Sequence, residues 1–435
     1  MASSTPPASF AQDPGRIADL AQAIVDRSLS PVDLVRRCLA RIEAVEFQVE
    51  AWRLVDGERA LAVAEQRHRE AQAGHIRGPL HGIPVGIKDI IDVEGLPTRC
   101  NSWSRAKAAP ATADAEIVLA LKAQGAIVLG KVHTTEFAFF DPSPAHNPHN
   151  LAHTPGGSSS GSAAAVAAGM APLTVGTQTV ASVNRPAAYC GVAAFKPSTR
   201  SLSVFGITPL GTSYDTPGVF GWSVADAVYA YRAIAPAFIS AAPDAQPGVL
   251  IVILDDPHIQ DAVPDMRAAV ERTRAQMASA GAKVETRPSP IDFGRLTTIQ
   301  RSTMLYEGSR AMRTFLDLPA GMIGEKLLTA IRDGFEIPEQ RYLDERLEID
   351  QFRSSFLAAT QGVDAFLWPA APGPAPEGLA WTGDPKYIAP WTALGGPMIS
   401  VPSGFATNGL PVGCILSGKP GADHHLAALA LQYVA

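Results

Sequence analysis

Two features of the sequence could together perform a hydrolysis: a block rich in glycine and serine, and a lysine far upstream of it. The block spans residues 156–197 and begins Gly-Gly-Ser-Ser-Ser-Gly-Ser. Glycine lets the backbone approach a ligand closely, so such a loop suits amide N–H groups and hydroxyls gathered around a small group. A serine hydroxyl becomes a good nucleophile when a base takes its proton, and a desolvated lysine is one such base. The leading interpretation is therefore a serine hydrolase with a lysine base.

The candidate base, Lys88, stands at the end of the apolar segment Gly-Ile-Pro-Val-Gly-Ile-Lys-Asp. A lysine at the end of a strand is ordinarily a surface residue. Residues 84–91 are apolar apart from Lys88 and Asp89, however, which favours burial of the amine. Burial would lower the pKa of Lys88 from its usual value of about 10.4, and the amine could then accept a proton near neutral pH.

The same block contains a second candidate nucleophile. Residues 157–161 fit the GxSxG pattern of a nucleophile elbow, in which Ser159 would attack the substrate. That arrangement requires an acid and a histidine later in the chain, and the late histidines are His424 and His425. Because five-residue matches arise easily in a loop of glycine and serine, this is the second interpretation of the block.

Three histidines in the segment before the block, His146, His149 and His153, have a spacing that could suggest a metal site. Prolines interrupt helix formation between them, and no carboxylate or cysteine stands at a helpful spacing. We therefore predict no metal here and expect the three side chains to make hydrogen bonds in a loop.

Composition and charge exclude several classes of protein. The chain has 46% hydrophobic and 18% charged residues, and its net charge of −6 offers no basic surface for nucleic acid. Its longest aliphatic run, residues 249–254, is far shorter than the roughly 20 residues that span a bilayer. The start of the chain lacks the pattern of a secretory signal. Since Cys38, Cys100, Cys190 and Cys414 form no CxxC pair, we expect reduced, buried thiols in a cytoplasmic protein without nucleic-acid or membrane partners.

The elements that must position these residues alternate between helices and short apolar strands. Ser30 is the expected N-cap of one helix, with Pro31 in its first turn. The sequence predicts helices at 16–28, 30–45, 57–72, 113–124, 162–170, 265–280 and 343–360. It predicts strands at 83–87, 126–129, 173–177, 249–254, 283–286, 365–368, 398–401 and 412–416. Buried strands that alternate with helices indicate an α/β fold with helices on both faces of a sheet.

Several long motifs in order resemble the amidase signature family and cover nearly the whole chain. They are GPLHGIPVGIKDIIDVEGLPT, GGSSSGSAAAVAAGM with its TQTVAS continuation, YDTPGVFGWSV and APWTALGGPMISVPSGFATNGLPVGCILSGKP. The resemblance implies one compact α/β/α domain around a mixed, mostly parallel sheet, over residues 16–435, after a short disordered lead at 1–15. The length of the chain alone would instead favour two or three domains.

The resemblance also implies a Ser–cisSer–Lys triad that needs no metal or organic cofactor. By motif position, Lys88 is the base, Ser158 is the bridging serine after a cis peptide bond, and Ser182 is the nucleophile. Lys88 would draw a proton through Ser158 while Ser182 attacks the carbonyl, and water would release the acyl-enzyme. The oxyanion hole would consist of the backbone N–H groups of Thr179, Val180, Ala181 and Ser182.

Two departures from the family pattern lie beside the nucleophile. Val180 and Ala181 replace the usual Gly-Gly, and the β-branched Val180 would restrict any positive φ that the loop requires. Arg185 occupies an offset at which a malonamidase-like branch carries an arginine that holds a substrate carboxylate. Its alternative role is a structural pairing with a nearby acid.

The aromatic pair Phe139 and Phe140 stands where the family often has Met-Gly, with Tyr189 and Met304 as candidate neighbours. These side chains indicate an apolar pocket for a neutral aromatic or alkyl group, unless they simply belong to the core. The sequence as a whole is most similar to bacterial amidases and metagenome-type urethanases. We therefore predict a monomer or homodimer that acts on a small-molecule amide or carbamate. The alternatives are a glutaminase-type subunit of an amidotransferase complex and a non-catalytic scaffold.

Overall fold

The computed structural model describes residues 9–235 and 248–435, and its strands form one continuous sheet. The strands are β1 (Trp52–Val55), β2 (Pro84–Lys88), β3 (Ile127–Val132), β4 (Leu173–Gln178), β5 (Ala193–Lys196), β6 (Thr216–Gly221), β7 (Leu250–Asp255), β8 (Lys283–Pro288), β9 (Ala365–Pro369), β10 (Met398–Phe405) and β11 (Pro411–Ser417). They lie in the order β1-β3-β2-β4-β6-β5-β10-β11-β9-β7-β8. Every strand predicted from the sequence is present, within a few residues of its expected bounds.

Helices pack against this sheet, which confirms the expected α/β fold. They are α1 (Ile17–Val25), α2 (Pro31–Val49), α3 (Gly57–Gln72), α4 (Glu116–Ala123), α5 (Ser160–Ala167), α6 (Asn184–Tyr189), α7 (Val224–Ile234), α8 (Pro264–Ser279), α9 (Phe293–Ala311), α10 (Glu325–Phe335), α11 (Glu339–Ala359), α12 (Ala389–Leu394) and α13 (Asp423–Tyr433). Ser30 caps α2 as predicted, because its side chain accepts a hydrogen bond from the backbone N–H of Val32. No helix in the described part of the chain is both long and apolar enough to cross a bilayer.

The directions of the strands differ from the sequence-based expectation of a mostly parallel sheet. Parallel pairing joins β2 to β3 and β4, and joins β7 to β8 and β9. The other neighbouring pairs are antiparallel. The hairpin of β10 and β11 illustrates the reason, since the five residues between the two strands are too few for the crossover that parallel neighbours need. The sheet is therefore mixed, without an excess of parallel pairs.

Strands β1, β5 and β6 were not predicted by the apolar pattern. The clearest case is β6, whose sequence Thr-Pro-Gly-Val-Phe-Gly contains residues that usually disfavour strands. All its residues are nevertheless buried, and it pairs with β4 on one side and β5 on the other. Tertiary packing overrides local preference at this strand.

The helix that follows the serine block is buried along its whole length. All eight residues of α5, Ser160–Ala167, are buried, and the helix packs on β4. Small residues make this possible: a Cβ on Gly161 would lie 2.2 Å from the backbone oxygen of Ala51. The glycine, serine and alanine content of the block thus lets a helix pass very close to neighbouring backbone.

The first residues of the described chain lie against the body of the protein. The backbone N–H of Phe10 donates to Pro148 O at 2.7 Å, and that of Gln12 donates to Ala167 O at 2.9 Å. The disordered lead expected at 1–15 therefore does not extend over residues 9–15, and residues 1–8 lie outside the described part.

Candidate active site

Lys88 ends β2 in the interior of the molecule, with no exposed surface. Its Nζ lies 2.8 Å from Ser158 Oγ and 2.9 Å from Thr177 Oγ1, on the neighbouring strand β4. Burial lowers the pKa of Lys88 to about 7, although the negative charge of Asp215 acts in the opposite direction. A large fraction of the amine is therefore neutral near pH 7 and able to accept a proton.

Ser158 follows a cis peptide bond, as the resemblance implied, and its side chain is buried. The loop that carries it is held on both sides of that bond. Arg185 Nη2 donates to Gly157 O at 2.8 Å, and the backbone N–H of Thr135 donates to Ser158 O at 3.1 Å. These contacts place the Ser158 hydroxyl between the Lys88 amine and the cleft described below.

Ser182 lies in the turn between β4 and α6, and it keeps a small exposed fraction of 9%. The side chain of Gln178 organises this turn: its Oε1 accepts the backbone N–H groups of Val183 at 2.9 Å and of Asn184 at 3.0 Å. Its Nε2 donates to Thr392 Oγ1 at 3.0 Å. Gln178 stands where the family usually has aspartate, and sequence reasoning gave it no role.

The loop from Thr179 to Ser182 accommodates Val180 and Ala181 without any residue in the left-handed conformation, so the β-branched Val180 is not strained there. Neither residue is among the described residues with positive φ. In the described chain, the backbone N–H groups of Thr179, Val180, Ala181 and Ser182, the four predicted for the oxyanion hole, donate to no other group. They are therefore available to an oxygen that binds in front of the loop.

One cleft collects most of the residues singled out from the sequence. Ser158 and Ser182 both line it, whereas Lys88 lies behind Ser158. The lining residues are Ala138, Phe139, Phe140, Ser158, Thr179, Val180, Ala181, Ser182, Arg185, Leu210, Met304 and Pro385. Two hydroxyls, a set of free amide donors and a buried amine thus converge on one end of an otherwise largely apolar space.

The cleft continues into an apolar pocket formed by helices that lie far along the chain. Phe139, Leu210 and Met304 line both spaces. The pocket is completed by Leu305, Gly308, Ser309, Met312, Leu327, Ala330 and Ile331 from α9, α10 and the residue after α9. Tyr189, proposed from the sequence as a neighbour, packs instead in a separate cluster with Ala371 and Leu410.

The side chain of Arg185 is buried, and its terminal nitrogens are bound to the protein itself. Nη1 donates to Gly383 O at 2.6 Å, and Nη2 donates to Gly157 O and to Thr382 Oγ1. The arginine thereby links α6 to the loop of Ser158 and to the segment before α12. These partners are backbone oxygens and a hydroxyl, not the acid considered from the sequence.

Asp215 is a partly buried carboxylate that sequence reasoning did not select, although it belongs to the YDTPG motif. It accepts hydrogen bonds from Thr179 Oγ1 at 2.5 Å and from the backbone N–H groups of Leu210 and Gly211. Burial raises the pKa of Asp215 to about 6. Asp215 holds the first residue of the proposed oxyanion loop and acts electrostatically on Lys88.

The alternative nucleophile, Ser159, has no exposed surface. Its Oγ donates to Thr177 O at 3.2 Å and accepts from Thr177 N at 3.3 Å. Of the late histidines, His425 pairs with Asp364, and the ring of His424 packs beside Tyr231. Ser159 is thus tied to the backbone of β4 and has no histidine partner among the described residues.

The three histidines before the serine block bond to backbone carbonyls, as expected. The Nδ1 of His146 lies 2.6 Å from Leu151 O, and the Nδ1 of His153 lies 2.9 Å from Ala375 O. The Nε2 of His149 lies 3.0 Å from Cys190 O. Within residues 9–235 and 248–435, no three histidine, cysteine or acidic side chains are grouped as metal ligands.

The sequence and the fold of this chain are similar to those of known proteins over nearly their whole length. A family model described as Amidase matches residues 33–427. The A subunit of a glutamyl-tRNA(Gln) amidotransferase from a Geobacter species is 30% identical, over 96% of both chains. A putative amidase of Mycobacterium bovis, AmiA2, is 31% identical over 96% of this chain and 92% of its own. The solved peptide amidase of Stenotrophomonas maltophilia superposes with a TM-score of 0.79 at 28% identity, over 96% of each chain.

Proposed function

The chain belongs to the amidase signature family, whose enzymes hydrolyse amide C–N bonds, and we propose that it cleaves amides and carbamates of small, largely apolar substrates. In this proposal Ser182 is the nucleophile, Ser158 relays protons and Lys88 is the base. The observation that carries it is the 2.8 Å contact of the buried Lys88 amine with Ser158 Oγ, at the back of a cleft that Ser182 also lines.

Proton transfer begins at the amine. Neutral Lys88 accepts the hydroxyl proton of Ser158. The Ser158 oxygen in turn takes the hydroxyl proton of Ser182, while the Ser182 Oγ bonds to the substrate carbonyl carbon. The carbonyl oxygen becomes an oxyanion, and the free N–H groups of Val180, Ala181 and Ser182 are placed to stabilise it. One preorganised donor of this kind contributes roughly 2.7–4 kcal/mol to lowering a barrier.

Collapse of the tetrahedral intermediate breaks the C–N bond. The leaving nitrogen receives a proton from Ser158, which regains one from the Lys88 ammonium, and an acyl group remains on Ser182. Water then attacks that ester with the same relay and releases the acid. For a carbamate, the amine leaves first and an alkoxycarbonyl group remains on Ser182. Water releases it as a carbonic monoester, which breaks down to alcohol and carbon dioxide.

The apolar pocket supports the substrate part of the proposal. Its walls come from Phe139, Leu210, Met304 and the facing sides of α9 and α10. Burial of an aryl or alkyl group against such walls is favourable by about 25 cal/mol for each Å² removed from water. We therefore propose that the apolar group of the substrate packs against these walls, with its carbonyl carbon in front of Ser182. Because the free volume of the pocket is about 10 Å³, the walls must move apart to admit it.

A second candidate function is the glutaminase step of a tRNA-dependent amidotransferase, which the identity with amidotransferase A subunits favours. Free glutamine carries an ammonium and a carboxylate, and both require charged or strongly polar partners. Of the residues that line the cleft, Arg185 is the charged one. Two backbone oxygens and Thr382 accept from its terminal nitrogens, and only its Nε, which is itself buried, has no partner in the described chain. The apolar lining thus favours a neutral substrate over glutamine.

Turnover of a panel of substrates by wild type, Ser182→Ala and Ser159→Ala tests the proposal. The panel contains an aryl amide, an aryl carbamate, an aryl ester and glutamine. We expect Ser182→Ala to lose at least about ten-thousandfold in kcat, as when a catalytic serine is removed elsewhere. Ser159→Ala should stay within about tenfold of wild type, because it loses only modest hydrogen bonds to Thr177.

Each measurement has an outcome that would contradict one part of the proposed function. The opposite ranking of the two serine variants would establish the elbow mechanism. Cleavage of the amide but not the carbamate would remove the carbamate activity, and turnover of glutamine alone would favour the amidotransferase function. A fluorophosphonate that fails to label wild type at Ser182 would point to a scaffold without catalysis.

A further inference from the structure

A second cavity, of about 240 Å³, lies between α3, β3 and the segment that follows β2. We call it the α3 cavity. Its apolar lining consists of Val63, Val93, Leu96, Ala126 and Val128. Its polar lining consists of Asp56, Arg59, Arg67, Arg77 and Lys122. None of these residues lines the catalytic cleft, so the α3 cavity has a chemistry of its own.

The cations of the α3 cavity are only partly neutralised by neighbouring carboxylates. Arg67 and Arg77 share one carboxylate, Glu70, with shortest contacts of 2.6 Å each. Lys122 has its own partner, Asp114, at 2.6 Å.

The remaining cation, Arg59, donates through Nη1 to the backbone oxygen of Glu94 at 2.6 Å. Arg59 is exposed, and no described carboxylate forms an ion pair with it, although Asp56 also lines the cavity. The formal charges of the four cations and of the carboxylates of Asp56, Glu70 and Asp114 add up to one net positive charge. A bound monoanion would balance that charge.

One buried donor in the α3 cavity has no acceptor. Arg67 is only 6% exposed, and its Nε makes no hydrogen bond in the described part of the chain. Buried polar groups in native proteins almost always have a partner. The carboxylate of an anion in the cavity would interact with the guanidinium groups of Arg67 and Arg59, both of which line it.

The dimensions and the apolar lining define the rest of the ligand. A cavity of about 150 Å³ is large enough to hold benzene, so the α3 cavity has room for a ring or a short chain together with a carboxylate. A compact inorganic anion would leave Val63 and Val128, the incompletely buried apolar residues of the lining, without further cover. A neutral molecule would leave the excess charge unbalanced.

We propose that the α3 cavity binds a small amphipathic monocarboxylate, with its carboxylate at Arg59 and Arg67 and its apolar body against Val63, Val93 and Val128. The site is distinct from the catalytic cleft, and the proposal does not depend on the catalytic mechanism. Benzoate and hexanoate are suitable probes, and benzyl alcohol and hexanol are their uncharged counterparts.

Isothermal titration calorimetry of benzoate into the full-length protein tests the proposal. The protein is used both untreated and with its catalytic serine sulfonylated by phenylmethylsulfonyl fluoride, which blocks the cleft. We expect benzoate to bind the sulfonylated protein with unchanged affinity and benzyl alcohol to bind at least tenfold more weakly. Failure of the reagent to modify the protein would count against the proposed nucleophile, but it would leave the variants below decisive for the cavity.

Two variants and a matched control locate the site. Arg59→Gln should weaken benzoate binding at least fivefold, and Val63→Phe, which fills the cavity from an incompletely buried position on α3, should abolish it. Arg69→Gln removes an exposed charge of the same helix that does not line the cavity, and it should change the affinity by less than twofold. Absence of binding at millimolar benzoate would overturn the proposal. The proposal would also be overturned if Val63→Phe still bound benzoate, or if sulfonylation abolished benzoate binding.

Discussion

At the scale of residues, burial alone does not identify the proposed base, because three lysines of the described chain are buried and burial lowers the pKa of two of them similarly. Burial lowers the pKa of Lys88 and of Lys196 to about 7 in each case. Lys196 Nζ donates to the backbone oxygen of Pro197, whereas Lys88 contacts the hydroxyl of Ser158, which lines the cleft. The contact with a hydroxyl that a substrate can reach distinguishes the base from the structural lysine.

The pKa of Lys88 predicts how activity depends on pH. Because the base must be neutral, kcat/KM should rise with pH through an apparent pKa of about 7 and then level off. The negative charge of Asp215 raises the pKa of Lys88, so Asp215→Asn should move the rise to lower pH. Rates measured from pH 5.5 to 9 on an aryl amide test both statements. A shift to higher pH in Asp215→Asn, or a profile that is flat in wild type, would contradict them.

Arg185 is expected to act through position rather than through contact with a substrate carboxylate. Arg185→Met removes the donors to Gly157 O and Gly383 O, so we expect kcat for a neutral aryl amide to fall at least about tenfold, equivalent to about 1.4 kcal/mol of barrier. KM should change little, and Arg185→Lys should recover part of the rate. If Arg185→Met instead raises KM only for substrates that carry a carboxylate, the arginine binds substrate.

At the scale of elements, the loop after β3 and helix α10 build the substrate pocket as a pair. Phe139 of this loop lines the pocket. The carboxylates of Glu136 and Asp141, in the same loop, accept hydrogen bonds from backbone N–H groups at the start of α10. Glu136 accepts from Gly324 N at 2.7 Å, and Asp141 accepts from Leu327 N at 2.7 Å. Negatively charged side chains near the N-terminus of α10 also interact favourably with the helix dipole. The wall formed by α10 is therefore fastened to the loop that faces it.

Asp141→Ala should loosen this wall. We expect KM for an aromatic amide to rise about three- to tenfold with a small change in kcat, because the serines and Lys88 keep their contacts. The free energy of unfolding should fall by about 1 kcal/mol, the typical cost of a lost N-terminal cap. Asp141→Asn, which retains an acceptor, is the matched control and should have a smaller effect. Steady-state kinetics and urea denaturation measure both quantities; a fall confined to kcat would assign Asp141 a different role.

At the scale of the whole molecule, the sheet passes from the N-terminal strands to β7 and β8 without a break, and the candidate site lies on the N-terminal side of its centre. Strands β2 and β4 lie side by side near one end and hold Lys88 and the turn of Ser182. The apolar pocket comes from α9 and α10, which follow β8 in the chain. The cleft therefore forms only when the two halves of the chain have folded together.

The same dense interior predicts the behaviour of the thiols. Cys38, Cys100, Cys190 and Cys414 are free and buried, and burial raises the pKa of Cys38 to about 12 and that of Cys100 to about 11. We expect Ellman's reagent to detect no fast-reacting thiol in the native protein and 4 thiols per chain in denaturant. A thiol that reacts within seconds under native conditions would contradict the packing described around it.

Much of the local structure could be predicted from the sequence, because it depends on contacts a few residues apart. The N-cap of α2 at Ser30 follows from residue types, and so do the bounds of α3 and the apolar strands. Strands β1, β5 and β6 could not be predicted in this way. In β6, burial between two neighbours outweighs the low strand preference of proline and glycine.

The family, the α/β class and the candidate triad could all be read from the chain before folding is considered, because ordered motifs and residue types are local information. The tertiary structure was needed to show that Arg185 binds the loop of Ser158, that Asp215 holds Thr179, and that Gln178 links the turn of Ser182 to Thr392. Those features depend on desolvation and on contacts between residues far apart in the chain, and a pattern of neighbouring residues carries no record of either.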